Sequence, residues 1–334
     1  MLQSFSNSRL LMAICALVAS FATEALWAEE PAKLPALPVE ITSFGAAKID
    51  NTIYVYGGHT GGAHSYSNKA QNNRLLSLNL WHPDQGWKEV ATGEKLQGLG
   101  MVAYEKRLIL VGGFTAMNAV GEKQDLHSQV NVRVFDTASN SWSELPSLPE
   151  PRSSHDAAII GSTIYVVGGW NLQGEGHTKW HDTAWAMDLK ADKPTWVEVS
   201  KPPFVRRAVA AIAHNGKLFV VGGMNDKGET TKQVAIYDPA TKAWKEAGEI
   251  HGEQSMAGFG ASGWSVGGKL MVTTFEGSIE SWNDANGSWE TKGKTKDARF
   301  FHRMLPIDNH SLVSIGGANM EVGKYTELEV VKVN

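Results

Sequence analysis

Residues 163–169 read TIYVVGG, a short run of β-branched and aromatic residues that ends in two glycines, and this run returns along the whole chain. Four further copies are clear: residues 52–58 (TIYVYGG), 107–113 (RLILVGG), 217–223 (KLFVVGG) and 311–317 (SLVSIGG). Successive copies start 55, 56, 54 and 94 residues apart. The long step contains a degenerate sixth copy, KLMVTTF at residues 269–275. Such a period indicates a repeat fold with six units.

Each copy is followed by a second alternating run, a polar turn and a tryptophan. The clearest examples are VFDTASNSW ending at Trp142, AIYDPATKAW ending at Trp244 and ESWNDANGSW ending at Trp289. Asp, Asn, Pro and Gly between two such runs are typical of tight turns. With an inner strand such as residues 156–160 before each glycine pair, every unit becomes a four-stranded antiparallel sheet. Sheets that are apolar on both faces must stack, so the pattern predicts an all-β, six-bladed β-propeller.

The glycine pairs, the Tyr-Asp positions and the tryptophans resemble the Kelch repeat, and the resemblance covers residues 33–334. It implies a Kelch-type β-propeller in which the glycines allow tight turns against the neighbouring blade. It also implies that the tryptophans pack between blades.

The two ends of the chain are predicted to meet in the last blade. Its final run, ELEVVKV at residues 327–333, has no tryptophan strand after it, whereas residues 34–49 align without a gap on residues 145–160. We therefore expect residues of about 32–40 to supply the outermost strand of the final blade, which would cover an open sheet edge.

Residues 1–28 read as a signal peptide, with Arg9 followed by an apolar stretch over residues 10–22 that is short for a membrane span. Cleavage after Ala22 and cleavage after Ala28 both fit, and the propeller then occupies residues 29–334. The only cysteine, Cys15, lies in this segment, so the mature chain would have no thiol. These features predict an exported protein, periplasmic or extracellular.

The charge pattern excludes some partners. The formal net charge is −4, 42% of residues are hydrophobic and 20% are charged, with no long basic run. We therefore expect no nucleic-acid binding and no membrane span, and we expect a monomer. The sequence contains no phosphate-binding loop, nucleophile elbow or dinucleotide fingerprint, and we predict no cofactor.

One face of the propeller is the predicted binding face, because the loops after the glycine pairs are extended in the first three blades, at residues 59–73, 114–129 and 170–181. The candidate ligand-binding residues there are His59, Arg152, His155, Trp170, Trp180, Arg206, Arg207, Arg299 and His302. Guanidinium groups around a central opening would hold a carboxylate or phosphate in a bidentate manner. Alternatively, the arginines tie adjacent blades together. The tryptophans either stack on sugar rings or pack on neighbouring loops.

His177 and His181 are four residues apart with Asp182 adjacent, but glycines 174 and 176 break any helix there. We therefore predict no metal site.

Two functions fit these residues. The first is a binding module whose loop face takes a protein, a glycan or an anionic small molecule. The alternative is a mutarotase or epimerase of sugar acids, because the chain also resembles the exported bacterial sialate mutarotases, although it lacks the long insertion between blades of that family. In that case Arg152, Arg206, Arg299, His155 and His302 would supply the cations and the acid–base groups. Copper radical chemistry of the galactose oxidase type is excluded by the missing cysteine. Whether the protein is an enzyme stays open at this point.

Overall fold

The computed structural model describes residues 34–175 and 178–333. The predicted signal peptide, both cleavage positions, Cys15 and His177 lie outside the described residues. Six antiparallel sheets of three or four strands form the blades, which are named blades 1 to 6 in chain order. The six-bladed all-β prediction is confirmed.

The strands of each blade run from the axis outward. Blade 1 contains Gly45–Ile49, Thr52–Tyr56, Arg74–Asn79 and Lys88–Thr92. Blade 2 contains Gly100–Tyr104, Arg107–Val111, Val132–Asp136 and Ser141–Leu145. Blade 3 contains Asp156–Ile160, Thr163–Val167, Ala184–Asp188 and Val197–Glu198. Blade 4 contains Ala210–His214, Lys217–Val221, Gln233–Asp238 and Ala243–Glu249.

Blade 5 contains Ser262–Val266, Lys269–Thr273, Ser278–Asn283 and Ser288–Lys294. Blade 6 contains three strands among the described residues, Arg303–Asp308, Ser311–Ile315 and Glu329–Lys332. Smaller ladders stand above the blades at one end, Phe114–Ala116 with Leu126–Ser128, Trp170–Leu172 with Thr178–Trp180, Arg206–Arg207 with Met224–Asn225, and Ala318–Asn319 with Gly323–Lys324. The described residues contain two 3-10 turns, Pro83–Gln85 and Ser255–Gly258.

The core is divided among the six boundaries between blades, each of which holds one apolar cluster. Between blades 1 and 2, for example, Tyr56 and Leu75 pack against Leu108 and Phe135. Because each sheet buries both faces against its neighbours, the hydrophobic effect stabilises the ring as a whole rather than single blades.

Tryptophan side chains join neighbouring blades, as the Kelch resemblance implies. The Trp142 ring lies 5.7 Å from Tyr56 of blade 1 and 5.0 Å from Phe135 of its own blade, measured between ring centroids. Five indole Nε1 atoms donate to carbonyl oxygens of the preceding blade at 2.7–3.1 Å: Trp87 to Pro35, Trp142 to Thr92, Trp196 to Pro146, Trp244 to Ser200 and Trp289 to Ala247. Trp142 and Trp244 are half-buried rather than fully buried.

The glycine pairs lie where one blade approaches the next most closely. Gly222 has φ 62°, and a Cβ atom there would lie only 2.0 Å from the carbonyl oxygen of Gly258. The N–H of Gly223 donates to the same oxygen at 2.9 Å. These two facts explain why a side chain is excluded at this position.

The predicted closing strand at residues of about 32–40 is corrected. Residues 34–40 contain no strand, and residues 32 and 33 lie outside the described residues. The carbonyl oxygen of Pro35 accepts a hydrogen bond from the Trp87 indole, and that of Pro146 accepts one from the Trp196 indole. Because Pro146 directly follows the outer strand of blade 2, residues 34–40 correspond to the link between two blades. The segment still contacts the last blade, because Leu37 N donates to Thr326 O at 2.8 Å and its side chain packs with Leu305 and Val313.

Candidate functional site

A ring of six residues surrounds the propeller axis just before the inner strands, one from each blade: Ser43, Gly98, Ser154, Ala208, Gly260 and Phe301. All six have φ between 50° and 62°, the left-handed region. Each ring member after Ser43 donates its backbone N–H to the carbonyl oxygen of the ring member before it. These five hydrogen bonds are 2.7–3.3 Å long. This axial ring forms the neck of an open pocket at the axis.

The side chain of Arg303 lines this pocket and contacts three other blades. Its Nη1 atom lies 3.0 Å from Asp156 Oδ1 in blade 3, Nε donates to Phe44 O at 3.1 Å, and Nη2 donates to Leu99 O at 3.4 Å. Asp156 Oδ2 also accepts a bond from Ala211 N in blade 4 at 2.9 Å. Because the charge and donors of Arg303 are already engaged, it obstructs the axis rather than offering a free cation to a ligand.

Above the neck, the long loops of blades 1 to 3 bind one another and form a wall, which we call the crown (residues 59–73, 114–129 and the described part of 170–181). Gln71 exchanges two hydrogen bonds with the backbone of Ala116, at 2.8 and 2.9 Å. Leu172 N donates to Ser128 Oγ at 2.9 Å. The corresponding loops of blades 4 to 6 are shorter, so the mouth is walled on one side only.

Arg207 of blade 4 lies among aromatic side chains at this mouth. Its guanidinium carbon is 4.2 Å from the ring centroid of Trp170 and 5.8 Å from those of Trp180 and Phe259. Trp170 and Trp180 face each other across the small ladder of blade 3, 5.3 Å apart. The guanidinium group of Arg207 thus lies close to aromatic rings from blade 3 and from the segment before the inner strand of blade 5.

The electrostatics of Arg207 differ from those of an ordinary surface arginine. Burial lowers its pKa, yet a guanidinium stays protonated in proteins. Its Nη2 atom donates to Met224 Sδ at 3.1 Å, and its Nε is buried without a hydrogen-bond partner among the described residues. Within residues 34–175 and 178–333, no carboxylate lies within 4.0 Å of it. The nearby Trp170 Nε1 is likewise buried without a partner. The site therefore holds a stacked cation beside a buried indole N–H that has no partner among the described residues.

Three predicted ligand-binding arginines do not face the mouth, which corrects the prediction for them. Arg152, Arg206 and Arg299 are 0%, 4% and 2% exposed. In each arginine, Nη1 donates to two carbonyl oxygens of its own blade, one on the first glycine of the glycine pair and one at the start of the third strand or just before it. The acceptors are Gly168 and Thr183 for Arg152, Gly222 and Gln233 for Arg206, and Gly316 and Glu327 for Arg299. We call these three the frame arginines, because their donors hold the blade backbone together. Burial lowers the pKa of Arg152 and Arg206 to about 10.

The predicted histidines line the pocket or lie beneath the crown. His155 and His302 are both 3% exposed and occupy the wedge between blades that Phe44, Leu99 and Val209 fill elsewhere. Burial lowers the pKa of His155 well below its usual range and that of His302 to about 3. Both imidazoles are therefore neutral at pH 7. His302 Nε2 contacts Thr273 Oγ1 at 2.6 Å, whereas His302 Nδ1 and both nitrogens of His155 have no partner.

His59 is buried under the blade 1 loop, where its Nε2 bonds Gly62 O at 3.0 Å and its ring packs 4.9 Å from Tyr66. Of the nine predicted residues, the structure thus brings Arg207, Trp170 and Trp180 together. Phe259, Phe301 and Asp156 were not predicted. The available signal is positional, since each lies at the start of an inner strand or no more than three residues before it.

The described residues contain no group of three or more His, Cys, Asp or Glu side chains placed to hold a metal ion. A search of the same residues for a helix of bilayer-spanning length and apolarity found none.

Comparison with known proteins supports the repeat assignment. A family model described as "KLHDC2/KLHL20/DRC7 Kelch-repeats domain" matches residues 102–277, more than half of the chain. Kelch-like protein 35 of Mus musculus is 28% identical over 218 residues, covering 65% of this chain and 32% of that protein. Kelch domain-containing protein 1 of Mus musculus is 28% identical over 243 residues, covering 63% and 55%. The matched region is thus at most about half the length of these relatives.

A solved structure titled "Structure of YjhT" superposes with a TM-score of 0.73 at 17% identity, covering 90% of this chain and 97% of that one. At this identity the likeness concerns the fold alone.

Proposed function

The chain belongs to the Kelch-repeat family, and from that premise we propose that it is a binding module that captures an acidic group of its partner at the axial mouth, with Arg207 as the anchor. Kelch propellers commonly bind proteins. The observation that carries the proposal is a half-buried guanidinium, stacked on Trp170 and without a carboxylate partner among the described residues.

The chemistry of this site favours an anion. A guanidinium that is stacked on an aromatic face keeps its N–H edge free for a planar carboxylate or a phosphate. Partial desolvation strengthens such a bond, since fewer waters compete for the donors. The rings of Trp180 and Phe259 would contact the apolar part of the partner.

Two loop tips support a protein partner on the same face. The chain has eight prominently exposed large apolar side chains among its described residues, and four of them lie at the tips of blades 2 and 6: Met117, Val120, Met320 and Val322. Exposed apolar side chains concentrated in this way are typical of interaction surfaces. The tips belong to the two blades that flank blade 1.

The proposal is tested by isothermal titration of the full chain with inorganic phosphate, glucuronate, N-acetylneuraminate and a glutamate-rich peptide. We expect at least one of these to bind, and Arg207→Ala to weaken that binding at least tenfold, because charge-assisted hydrogen bonds contribute about 1.5–3 kcal/mol. The matched control is Arg107→Ala, which removes an arginine that also stacks on an aromatic ring, Tyr104, at 5.3 Å in blade 2. Equal affinity in both variants would contradict the role of Arg207.

A second candidate is a mutarotase of sugar acids. The observation in its favour is that two neutral imidazoles, His155 and His302, line the pocket and have unpartnered ring nitrogens. Ring opening needs one proton donor and one acceptor. The test is anomeric exchange of N-acetylneuraminate followed by NMR. Acceleration by the wild type that His302→Leu abolishes would favour the enzyme, and binding without acceleration would favour the module.

Export rests on the sequence of residues 1–28 and remains part of the proposal. Cell fractionation, with N-terminal sequencing of the product, tests it. We expect a chain that starts after Ala22 or Ala28 outside the cytoplasm.

A further inference from the structure

The residue just before each member of the axial ring differs between the two halves of the propeller. In blades 1 to 3 it is polar and buried, and it forms a β-bridge with the first residue of a crown loop: Thr42 with His59, Gln97 with Phe114 and Ser153 with Trp170. In blades 4 to 6, whose loops are shorter, the same position holds Arg207, Phe259 and Phe300, all half-buried. One half of the axial end is thus polar and buried at this position, and the other half presents large side chains to solvent.

Four phenylalanine rings form a continuous patch beside Arg207. The Phe259 ring centroid lies 5.8 Å from the Arg207 guanidinium carbon and 5.1 Å from the centroid of Phe301. Phe300 lies 5.3 Å from Phe301, and Phe275 stacks on Phe300 at 5.0 Å with 21° between the ring planes. All four side chains are half-buried, so each keeps part of its surface in water. We call these four residues the aromatic patch.

Phe275 is a departure from the repeat. The other five blades have the second glycine of the pair at this position, with φ between 84° and 99°. Phe275 lies outside that left-handed region, so its backbone accepts a side chain. Five blades fold without an aromatic ring here, so the propeller does not require the Phe275 ring. A ring that the fold does not require, and that enlarges an apolar surface in contact with water, indicates a binding role.

The apolar surface continues onto the loop of blade 6. Phe300 forms a β-bridge with Ala318, and the same loop carries Met320 and Val322, which are 77% and 68% exposed. Exposed apolar side chains therefore extend from the aromatic patch to a loop tip instead of lining an enclosed cavity. Such a surface favours a protein over a small amphiphile as the partner.

We propose that the aromatic patch docks a peptide segment of a partner protein, in which apolar side chains lie within a few residues of the acidic side chain that Arg207 binds. The inference rests on the proposed function, since Arg207 is its anchor. Charge complementarity places the acidic residue, because no carboxylate among the described residues lies within 4.0 Å of the Arg207 guanidinium. In an extended peptide, side chains on one face repeat about every 7 Å. An acidic residue and the apolar residue two places away can therefore contact Arg207 and Phe259 at the same time.

The test is selection from a display library of random dodecapeptides on the full chain, followed by fluorescence anisotropy of the selected peptides. We expect the selected sequences to combine an acidic residue with an aromatic or large aliphatic residue nearby. Phe300→Thr, which introduces the residue type of blade 1, and Phe275→Gly, which restores that of the other blades, should each weaken binding about fivefold, since each removes an aromatic contact. Thermal unfolding checks that both variants fold. The matched control is Trp81→Ala, which removes a ring that is 74% exposed on the connection between the third and outer strands of blade 1 and should leave the affinity unchanged.

The outcomes separate this inference from the proposed function. Selected peptides that are acidic without apolar enrichment, or patch variants that bind as tightly as the wild type, would overturn the docking of a peptide on the patch and leave Arg207 as the anion site. Apolar peptides whose binding Arg207→Ala does not weaken would overturn both. If no peptide is selected, the inference fails, and the titration with phosphate, glucuronate and N-acetylneuraminate still decides the Arg207 site. Binding of laurate that Phe300→Thr weakens, with no peptide selected, would assign the patch to an amphiphile instead.

Discussion

Arg206 and Arg207 are neighbours in the chain and belong to two different regions of the molecule. Arg206 is a frame arginine whose Nη1 donates to Gly222 O and Gln233 O, whereas Arg207 stacks on Trp170 at the mouth. The frame region repeats in blades 3, 4 and 6, and the mouth arrangement is found in blade 4 among the described residues. An arginine stabilises the fold where backbone carbonyls occupy its donors, and it is available for recognition where they do not.

The largest effect on stability is expected in the frame region. Arg152→Ala would leave the carbonyls of Gly168 and Thr183 and the Thr183 hydroxyl without their donor, at a fully buried site. We expect a loss of about 3–5 kcal/mol in the free energy of unfolding, because hydrogen bonds to charged groups contribute about 1.5–3 kcal/mol each and add incompletely. Urea denaturation measures it. A loss below about 1 kcal/mol would mean that Arg152 is not part of the frame.

The next effect concerns the contact between blades. Trp142→Ala removes a half-buried indole that bonds Thr92 O and packs on Tyr56 and Phe135. We expect a loss of about 2–3 kcal/mol, less than the 3–5 kcal/mol typical of fully buried aromatic residues, because part of the ring is already in water. Thermal unfolding checks this value. Trp81→Ala is the control and should change stability by less than about 0.5 kcal/mol, since its ring is mostly exposed.

A pH-dependent effect should come from the pocket wall. Burial and the charges of Arg299 and Arg303 lower the pKa of His302 to about 3 in the folded chain, below the ordinary value of 6.5. Above pH 6.5 the imidazole is neutral in both states, so its contribution to stability is fully present. As the pH falls from 6.5 toward 3, the unfolded chain binds a proton that the folded chain does not, and stability falls by about 1.4 kcal/mol per pH unit.

Urea denaturation of wild type and His302→Leu between pH 4.5 and 7 measures this slope. Leucine is chosen because Leu99 occupies the same register in blade 2. The variant should have a shallower slope by about one proton. Identical slopes would show that His302 is not the group that titrates.

The smallest effect on stability is expected at the mouth. Arg207→Ala should change the free energy of unfolding by less than about 1 kcal/mol, because a cation–π contact of a partly exposed arginine contributes about 0.5–1 kcal/mol. Ligand binding should nevertheless weaken at least tenfold. A destabilisation as large as that of Arg152→Ala would place Arg207 in the frame region and remove the distinction between the two.

The fold was predictable because the same sequence pattern occurs once in every blade, so that clear copies support the weak ones. The glycine pairs, turns and tryptophans recur with one period, so the weak copy at residues 269–275 could be placed by its neighbours. The prediction of a closing strand was wrong for residues 34–40 because of the alignment on which it depended. In the aligned segment 145–160 only Leu145 belongs to an outer strand, and the residues after it form the link to the next blade. Pro35 belongs to the link.

The site was only partly predictable. Sequence register correctly aligned Arg152, Arg206 and Arg299 four residues before an inner strand, but it did not give the direction of their side chains. Adjacent residues in an extended segment point to opposite sides, so Arg206 and Arg207 in the ladder Arg206–Arg207 must differ. Which of the two faces the axis depends on how that ladder pairs with Met224–Asn225, a contact that the repeat pattern does not encode.

The most direct measurement is the NMR signal of the arginine Nε–H groups during titration with the anion that binds, with the Arg207 signal assigned from its loss in Arg207→Lys. The signal of Arg207 should shift on addition of the anion, while those of Arg152, Arg206 and Arg299 stay in place. An unmoved Arg207 signal, or shifts confined to the three buried arginines, would contradict the division between frame and mouth.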